Sequence, residues 1–496
     1  MQNKRDQVQA HLFVMGRLAS AMLRADPDDP ESPSGRTSRG AAIGLIIALL
    51  VCAGAFVLGL IRPGGNTTWK SEGQLVADKQ TGASYLYLNG RLRPVRNYAS
   101  ARLITGGAPE SSSVGTSSLN GTPHGTPVGI PGAPAALPGT GDLDTGPWLV
   151  CSATEPTETG TPRARTALAI GAGEVTDIPG ARRLDTRTGV LVAGPEGGEY
   201  LLWRGTRLRL DEDADAVRAL GYGSVTPRPV SAAFLDAFPQ GPDLAPPEVP
   251  GRGEDGPRLG DRATRVGQVF RVDVPGSDPR YHVLREEGLV PLSDTAAALL
   301  LGDPRTAEEA YGGGEAQVTT LGADALTGHL APDSAGRGEE TGLPPTPPEP
   351  ARGAAGEVVC ADITSTGSRA RVGAAVLPGT VLTTPAQGPE PEFEPACLPV
   401  DTVFVRPGAG VLVRALSTAG TPLGDTAFLV TDTGVKHRLL SQEAVEALGY
   451  GEAREQTLPA HVLAMLPTGP DLTKESATTG EPRISVRCAR PDGEGE

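Results

Sequence analysis

From Ala41 to Ile61 the chain runs AAIGLIIALLVCAGAFVLGLI without a charged residue. A helix rises about 1.5 Å per residue, so this stretch matches the roughly 30 Å hydrocarbon core of a bilayer and is predicted to be a transmembrane helix. Signal peptides carry only a short segment before their apolar run, whereas forty residues precede this one, so the helix is expected to stay as an anchor. Upstream, Val8, Leu12, Met15, Ala19 and Met22 recur at steps of three or four between Gln7 and Arg24. That spacing predicts an amphipathic helix. Its apolar stripe could dock on a cytosolic partner, or lie on the membrane surface with Lys4, Arg5, Arg17 and Arg24 toward the headgroups.

After the apolar run the pattern becomes one of short strands and turns, and it repeats. Four segments align: ASYLYLNGRLRPVRNYASARLITG from Ala83, GEYLLWRGTRLRLDEDADAVRALGYG from Gly198, PRYHVLREEGLVPLSDTAAALLLGDP from Pro279 and TAFLVTDTGVKHRLLSQEAVEALGYG from Thr426. In each, an aromatic residue (Tyr85, Tyr200, Tyr281, Phe428) opens a strand and a turn glycine (Gly90, Gly205, Gly288, Gly434) leads into a second. A helix follows, opened by Asn97, Asp211, Ser293 or Ser441, whose side chains can accept from first-turn amides, and closed by Gly106, Gly221, Gly302 or Gly449. The second and fourth segments share more: ALGYG at 219–223 recurs at 447–451, and FPQGPDL at 238–244 parallels LPTGPDL at 466–472. A hairpin plus one helix is too small to stand alone, so the four units are expected to pack on a shared middle built around Cys151, Cys360 and Cys397.

With 66 Gly and 47 Pro in 496 residues and only 4% aromatics, long helices cannot dominate. The stretches 111–142, 242–260 and 331–356 are richest in Gly, Pro, Ser and Thr and are read as linkers or solvated loops without secondary structure. The expected organisation is a cytosolic helix and linker (1–40), the membrane helix (41–61), a first repeat (62–110), a flexible loop (111–142), a central domain begun at 143–197 and a second repeat (198–244). A linker and strand (245–278), a third repeat (279–330), a flexible linker (331–356), the rest of the central domain (357–425), a fourth repeat (426–472) and a C-terminal strand and tail (473–496) complete it. The fold class is thus a single-pass membrane protein, with an α+β extracytoplasmic region of four hairpin-plus-helix repeats around a β-rich central domain.

Charge changes the picture in one respect. The net charge is −15, and residues 1–40 carry six Lys/Arg against five Asp/Glu, so −16 falls on the remainder and nucleic acid is a poor partner. The basic residues flanking the membrane helix, Arg24, Arg36 and Arg39 before it and Arg62, Lys70 and Lys79 after it, balance and leave orientation open. Cysteines weigh on that choice. Apart from Cys52 in the apolar run, Cys151, Cys360, Cys397 and Cys488 all follow it. Two disulfides suit an extracytoplasmic domain, and three pairings are open, among them Cys151 with Cys360 and Cys397 with Cys488. Cys151 and Cys360 each end an apolar strand-like run and read as a staple across the central domain rather than as reactive thiols.

Candidate chemistry is sparse. None of the five lysines (Lys4, Lys70, Lys79, Lys436, Lys474) follows a glycine, so a G-x-x-x-x-G-K-[ST] phosphate loop is excluded. Asp144-Thr145-Gly146 and Asp432-Thr433-Gly434 could supply the paired carboxylates of an aspartic protease, but the second sits in a hairpin turn and the first after a Gly/Pro loop, so both read as turns. The six histidines show no metal-ligand spacing, and no Cys-x-x-Cys occurs. Ser224 is out of frame for a nucleophile elbow. No catalytic, cofactor-binding or metal residues are assigned. Gly44 and Ala48 form a small-xxx-small pair that would let another membrane helix approach.

The amphipathic helix, the single membrane pass, Trp69-Lys70, Gly82-Ala83-Ser84-Tyr85 and the run Pro94 to Ala101 (PVRNYASA) together resemble the EccB family of type VII (ESX) secretion systems. The resemblance extends over nearly the whole chain and is strongest from Trp69 to Leu103 and in the Gly-Tyr-Gly and Gly-Pro-Asp-Leu endings. It implies a structural subunit of an inner-membrane complex for small helical secreted proteins, anchored with its N-terminus cytosolic and its repeats periplasmic or extracellular. The implied partners are other type VII membrane subunits and a separate P-loop ATPase, with further copies of the chain in the complex. Some members carry an ATPase label, and ATP enters as a cofactor through that label alone. An extracytoplasmic ATPase and a cell-wall binding module, whose repeated weak sites would act through avidity, are the competing functions.

Overall fold

A computed structural model describes residues 4–25, 33–61, 67–155, 163–273, 276, 278–332, 342–351, 356–367, 369–382, 393–417, 420–485 and 488. Arg62, half of the linker expected at 331–356 and the tail beyond 488 lie outside them. The chain forms two compact units, one of residues 1–92 with 111–124 and one of 93–110 with 125–496.

The described residues of the first unit form two long helices, a short one (Thr116–Leu119) and a small sheet. Helix Lys4–Arg24 leaves Val8, Leu12, Met15 and Met22 exposed. Helix Pro33–Ile61 contains Thr37–Leu58, a stretch long and apolar enough to cross a membrane, whose large side chains from Ile43 to Leu58 are all exposed. The first small sheet is a meander of Leu75–Asp78, Ser84–Leu88 and Arg91–Pro94, with Ser111–Val114 returning parallel to its first strand. Asn89 and Gly90, both at positive φ (52° and 72°), make the two-residue turn whose twist matches the flanking strands. Trp69, Val76, Leu92, Val114 and Leu119 bury its apolar face.

In the second unit three more small sheets have that same topology. Their meanders are Thr188–Ala193, Glu199–Trp203 and Thr206–Arg209; Val269–Asp273, Arg280–Arg285 and Gly288–Leu292; and Gly410–Leu416, Pro422–Thr431 and Lys436–Leu439. Each then crosses through helix to a strand parallel to the first: Arg228–Pro229, Thr319–Gly322 and Gln456–Pro459. A six-stranded sheet lies between, in the order Thr402–Val405, Arg163–Ile170, Trp148–Glu155, Glu357–Thr366, Arg369–Pro378, Arg182–Arg183.

Both faces of this central sheet are covered, which is why its strands read as unbroken apolar runs such as Trp148-Leu149-Val150-Cys151. Trp148, Val150, Leu168, Val359 and Ile363 face one core, where they meet Val192, Phe234 and Phe238 of the second sheet region and Val411, Val413, Val462 and Met465 of the fourth. Leu149, Cys151, Val358, Cys360 and Leu377 face the other. Helix Tyr98–Thr105, which follows the first meander in sequence, belongs to the second unit. It packs Ala99 and Leu103 against Leu439, Val445 and Leu448, and Arg102 Nε donates to the Ala447 carbonyl at 3.0 Å.

Asn97, Ser293 and Ser441 accept from Ser100, Ala296 and Ala444 amides, and Gly106, Gly221 and Gly449 adopt the left-handed φ of helix ends. Two positions differ from the sequence reading. Asp211 Oδ1 accepts from the amides of Asp213 and Ala214 in a turn, and the short helix begins only at Ala216. Gly302 is the last residue of helix Asp294–Gly302 and not a left-handed glycine beyond it, because the residue that ends the helix, Asp303, is held in extended backbone as the cap of the next, Pro304–Glu309. The stretches read as loops carry structure too: Ser111–Val114 and Thr116–Leu119, and strand Glu349–Pro350 paired with Thr188–Gly189. After residue 473 the described residues contain helix Lys474–Thr479 rather than a strand, since Thr473 accepts from the Ser476 amide and starts a turn.

Candidate functional site

The four cysteines that follow the apolar helix form two disulfides of opposite character. Cys151 and Cys360 stand directly opposite each other on neighbouring antiparallel strands, Cα atoms 3.9 Å apart and both without solvent exposure. Cys397 pairs with Cys488 across 91 residues at the protein surface. Cys52 is free and lies in the apolar helix.

The fourth sheet holds a buried polar joint. Lys436 is 3% exposed, and its Nζ donates to the carbonyls of Leu463 and Leu466 at 2.6 and 2.9 Å, satisfying the end of helix Ala460–Leu463. Burial without an anionic partner pushes its ammonium down to about 8. Beside it, burial pushes the His437 imidazole down to about 4, against a hydrogen bond from Nδ1 to the Pro470 carbonyl at 3.2 Å. Gly469 rides directly over that ring, where any Cβ would collide with it. In the second sheet Gly241 rides over Leu208, and Gly125 rides over Arg93. In these three places an extended segment crosses the residue that lies three after the turn glycine (Gly90, Gly205, Gly434), in the meander's last strand, at a distance that only glycine permits. The glycine of the shared Gly-Pro-Asp-Leu endings is a close-approach residue.

Two Pro-rich segments dock in matching places. Tyr222 Oη donates to the Pro348 carbonyl at 2.8 Å, and Tyr450 Oη donates to the Pro138 carbonyl at 2.9 Å. Past each proline the segment bridges in parallel to the start of a sheet, Glu349 to Thr188 and Leu143 to Gly410. These straps border two clefts, about 610 Å³ beside Val190, Gly221, Thr226 and Arg228, and about 630 Å³ beside Leu143, Glu446, Gly449 and Arg454. The first is lined by one cation, Arg228, which already donates to the Glu357 carbonyl, and the second by Glu446, Glu452 and Arg454.

Asp144 and Asp432 engage different points of one loop: Asp144 Oδ1 accepts from Arg406, and Asp432 Oδ2 accepts from the Gly408 amide. Burial raises the Asp144 carboxyl, with Arg406 opposing. Among the described residues no hydrogen bond joins the two carboxylates, and no group of three or more His, Cys, Asp or Glu could hold a metal ion. Sequence reasoning did not single out Gln456. Its Oε1 accepts from the buried Trp148 indole at 2.9 Å while Nε2 donates to the carbonyls of Asp144 and Gly146, so one amide ties the central sheet to the fourth. Only the fold, which brings positions 308 residues apart together, makes that visible.

Residues 2–485 match the family model described as "Type VII secretion system ESX-1, transport TM domain B". The ESX-3 secretion system ATPase EccB3 of Mycolicibacterium smegmatis is 30% identical, over 97% of this chain and 91% of its own. The ESX-2 secretion system ATPase EccB2 of Mycobacterium tuberculosis is 28% identical, over 96% and 94%. Among solved structures, a chain of an intact ESX-5 inner membrane complex superposes with a TM-score of 0.65 at 25% identity, covering 100% of this chain and 98% of that one. The EccB3 dimer from the ESX-3 core complex gives 0.62 at 28% identity, covering 82% and 99%. With the family model spanning all but the ends of the sequence, this chain belongs to the EccB family of type VII secretion systems.

Proposed function

We propose that this chain is a structural subunit of a type VII secretion inner-membrane complex, crossing the membrane once and building a rigid scaffold outside the cytosol from four copies of one repeated unit. The observation that carries the reading is its superposition, over its full length, on a chain of an intact inner membrane complex. The shared topology of the four small sheets supports the repeat count. The disulfides support this orientation, since such bonds form and persist outside the reducing cytosol and here both lie on one side of the apolar helix. Helix Lys4–Arg24 would then meet cytosolic parts of other subunits through its exposed apolar stripe. Further copies of the chain and a P-loop ATPase that supplies the driving force are the expected partners.

The ATPase names borne by relatives are theirs. For this chain we favour a non-enzymatic role, because its sequence has no G-x-x-x-x-G-K-[ST] loop and the lysine of its fourth sheet, Lys436, is committed to backbone carbonyls. Gentle solubilisation of membranes carrying a tagged chain, followed by mass spectrometry of what migrates with it at high mass, tests the reading. Recovery of a multispan protein and a P-loop ATPase is expected; a chain that migrates alone would remove it.

A further inference from the structure

We propose that Cys397–Cys488 is a thiol-exchange site that locks the C-terminal segment onto the fourth sheet, while Cys151–Cys360 is a permanent staple. Three observations bear on this. Cys397 is exposed and Cys488 half-buried, whereas the other pair has no exposure. Exposed disulfides are the ones thiols reach, and buried ones resist. Cys397 also borders an apolar groove of about 320 Å³ lined by Leu423, Phe428, Ala460 and Ala464, with Arg438 at its rim. A thiol-bearing peptide or protein could seat there, and a nearby cation favours its thiolate. Finally, what the bond holds is specific. The Asp471 amide donates to the Arg483 carbonyl at 2.7 Å, Ser485 Oγ donates to Asp471 Oδ2, and Arg483 pairs with Glu475. On the other side Glu394 and Thr468 exchange backbone hydrogen bonds. Segment 393–398 on one side and Arg483 and Ser485 on the other thus clamp the Pro467–Leu472 edge, and the disulfide ties Cys397 of the first to Cys488, just beyond the second.

The exchange balances with a thiol as reductant. A thiolate attacks Cys397 Sγ, a new S–S bond forms, the bond to Cys488 breaks, and Cys488 leaves as thiolate and takes a proton from water. A second thiolate then attacks the mixed disulfide, so two thiols are oxidised to one disulfide and both cysteines end reduced. Among the described residues, the remaining hold on Arg483 and Ser485 is an exposed ion pair and hydrogen bonds to Asp471, too weak to keep a chain end in place.

The test uses the full-length chain in detergent, equilibrated with dithiothreitol at stepwise reducing ratios, its thiols trapped with N-ethylmaleimide and mapped by mass spectrometry. Cys397 and Cys488 should label together at a ratio about tenfold less reducing than Cys151 and Cys360 need, and tryptic cleavage after Arg483 should rise at the same step. The double variant Cys397→Ser, Cys488→Ser should show that cleavage without reductant. Simultaneous labelling of all four cysteines, or release of Cys397–Cys488 with Arg483 still protected in both proteins, would overturn the proposal.

Discussion

His437 carries the clearest consequence of burial at a single residue. Its imidazole titrates near 4 when folded and near 6.5 when free, so between those values the unfolded chain binds a proton that the folded chain does not. Stability from this site is therefore complete above about pH 6.5 and is lost as pH falls toward 4, by about 3 kcal/mol over the full window. Burial shifts His282 and His461 in the same direction. His437→Leu, which copies the residue at the matching place in the second sheet, should flatten that part of the profile. Amide exchange of strand Lys436–Leu439 at pH 7 and pH 5 reads it, and an unchanged pH response would assign the effect elsewhere. Gly469 lies in contact with the same ring, so Gly469→Ala should cost about 1–3 kcal/mol through overpacking. The penalty should shrink when His437→Ala is combined with it, since contacting residues do not add. Thermal unfolding of the two single variants and the pair measures this. Equal and additive losses would mean that the glycine is needed for its backbone and not for the ring beneath it.

At the level of elements, legibility followed the strength of the local signal. The hairpins and their helices could be read because Asn97, Ser293 and Ser441 cap in place and turn glycines such as Gly90 and Gly205 sit at positive φ. The parallel strand that closes each sheet could not. Arg228–Pro229 is two residues long and Thr319–Gly322 has one large apolar side chain, so neither shows a strand period; they pair because the first strand's edge is already in place. Straps were hidden for a different reason. Proline-rich composition reads as a solvated linker, and what orders residues 137–144 and 342–351 is a tyrosine far away in sequence. The repeated Gly-Tyr-Gly was the available signal, since a buried tyrosine hydroxyl needs an acceptor. Tyr450→Phe should leave the Pro138 carbonyl without this donor and cost about 1–2 kcal/mol. Hydrogen exchange should rise around Leu137–Leu143 with the central sheet unchanged. Tyr222→Phe should do the same to the segment around Pro348. If neither strap loosens, their hold comes from the parallel bridges instead.

Across the whole second unit, stability rests on contacts between sheets that no single element could provide. The central sheet shares one core with the second and fourth sheets, so those three behave as one body. The third sheet instead has its own cores, built on Val269, Val283, Val290 and Leu300 and on Phe270, Leu284 and Leu289. Its attachment to the second sheet runs through helix Asp294–Gly302, where Leu299 enters the second sheet's core and Gly302 meets Ala219 so closely that a Cβ would collide with it. This explains why a glycine stands at the last position of the helix: the approach of the two helices requires it. Gly302→Ala should therefore gain helix propensity yet separate the helices, raising amide exchange in 216–219 and 294–302 and leaving strand Glu357–Thr366 protected. Adding Ala219→Gly removes the colliding methyl and should restore most of the protection, because it reopens the space without touching either core. A Gly302→Ala chain as protected as the parent would show that the joint yields at no cost, and the hold on the third sheet would then rest on the apolar contacts of Leu299 and Ala298.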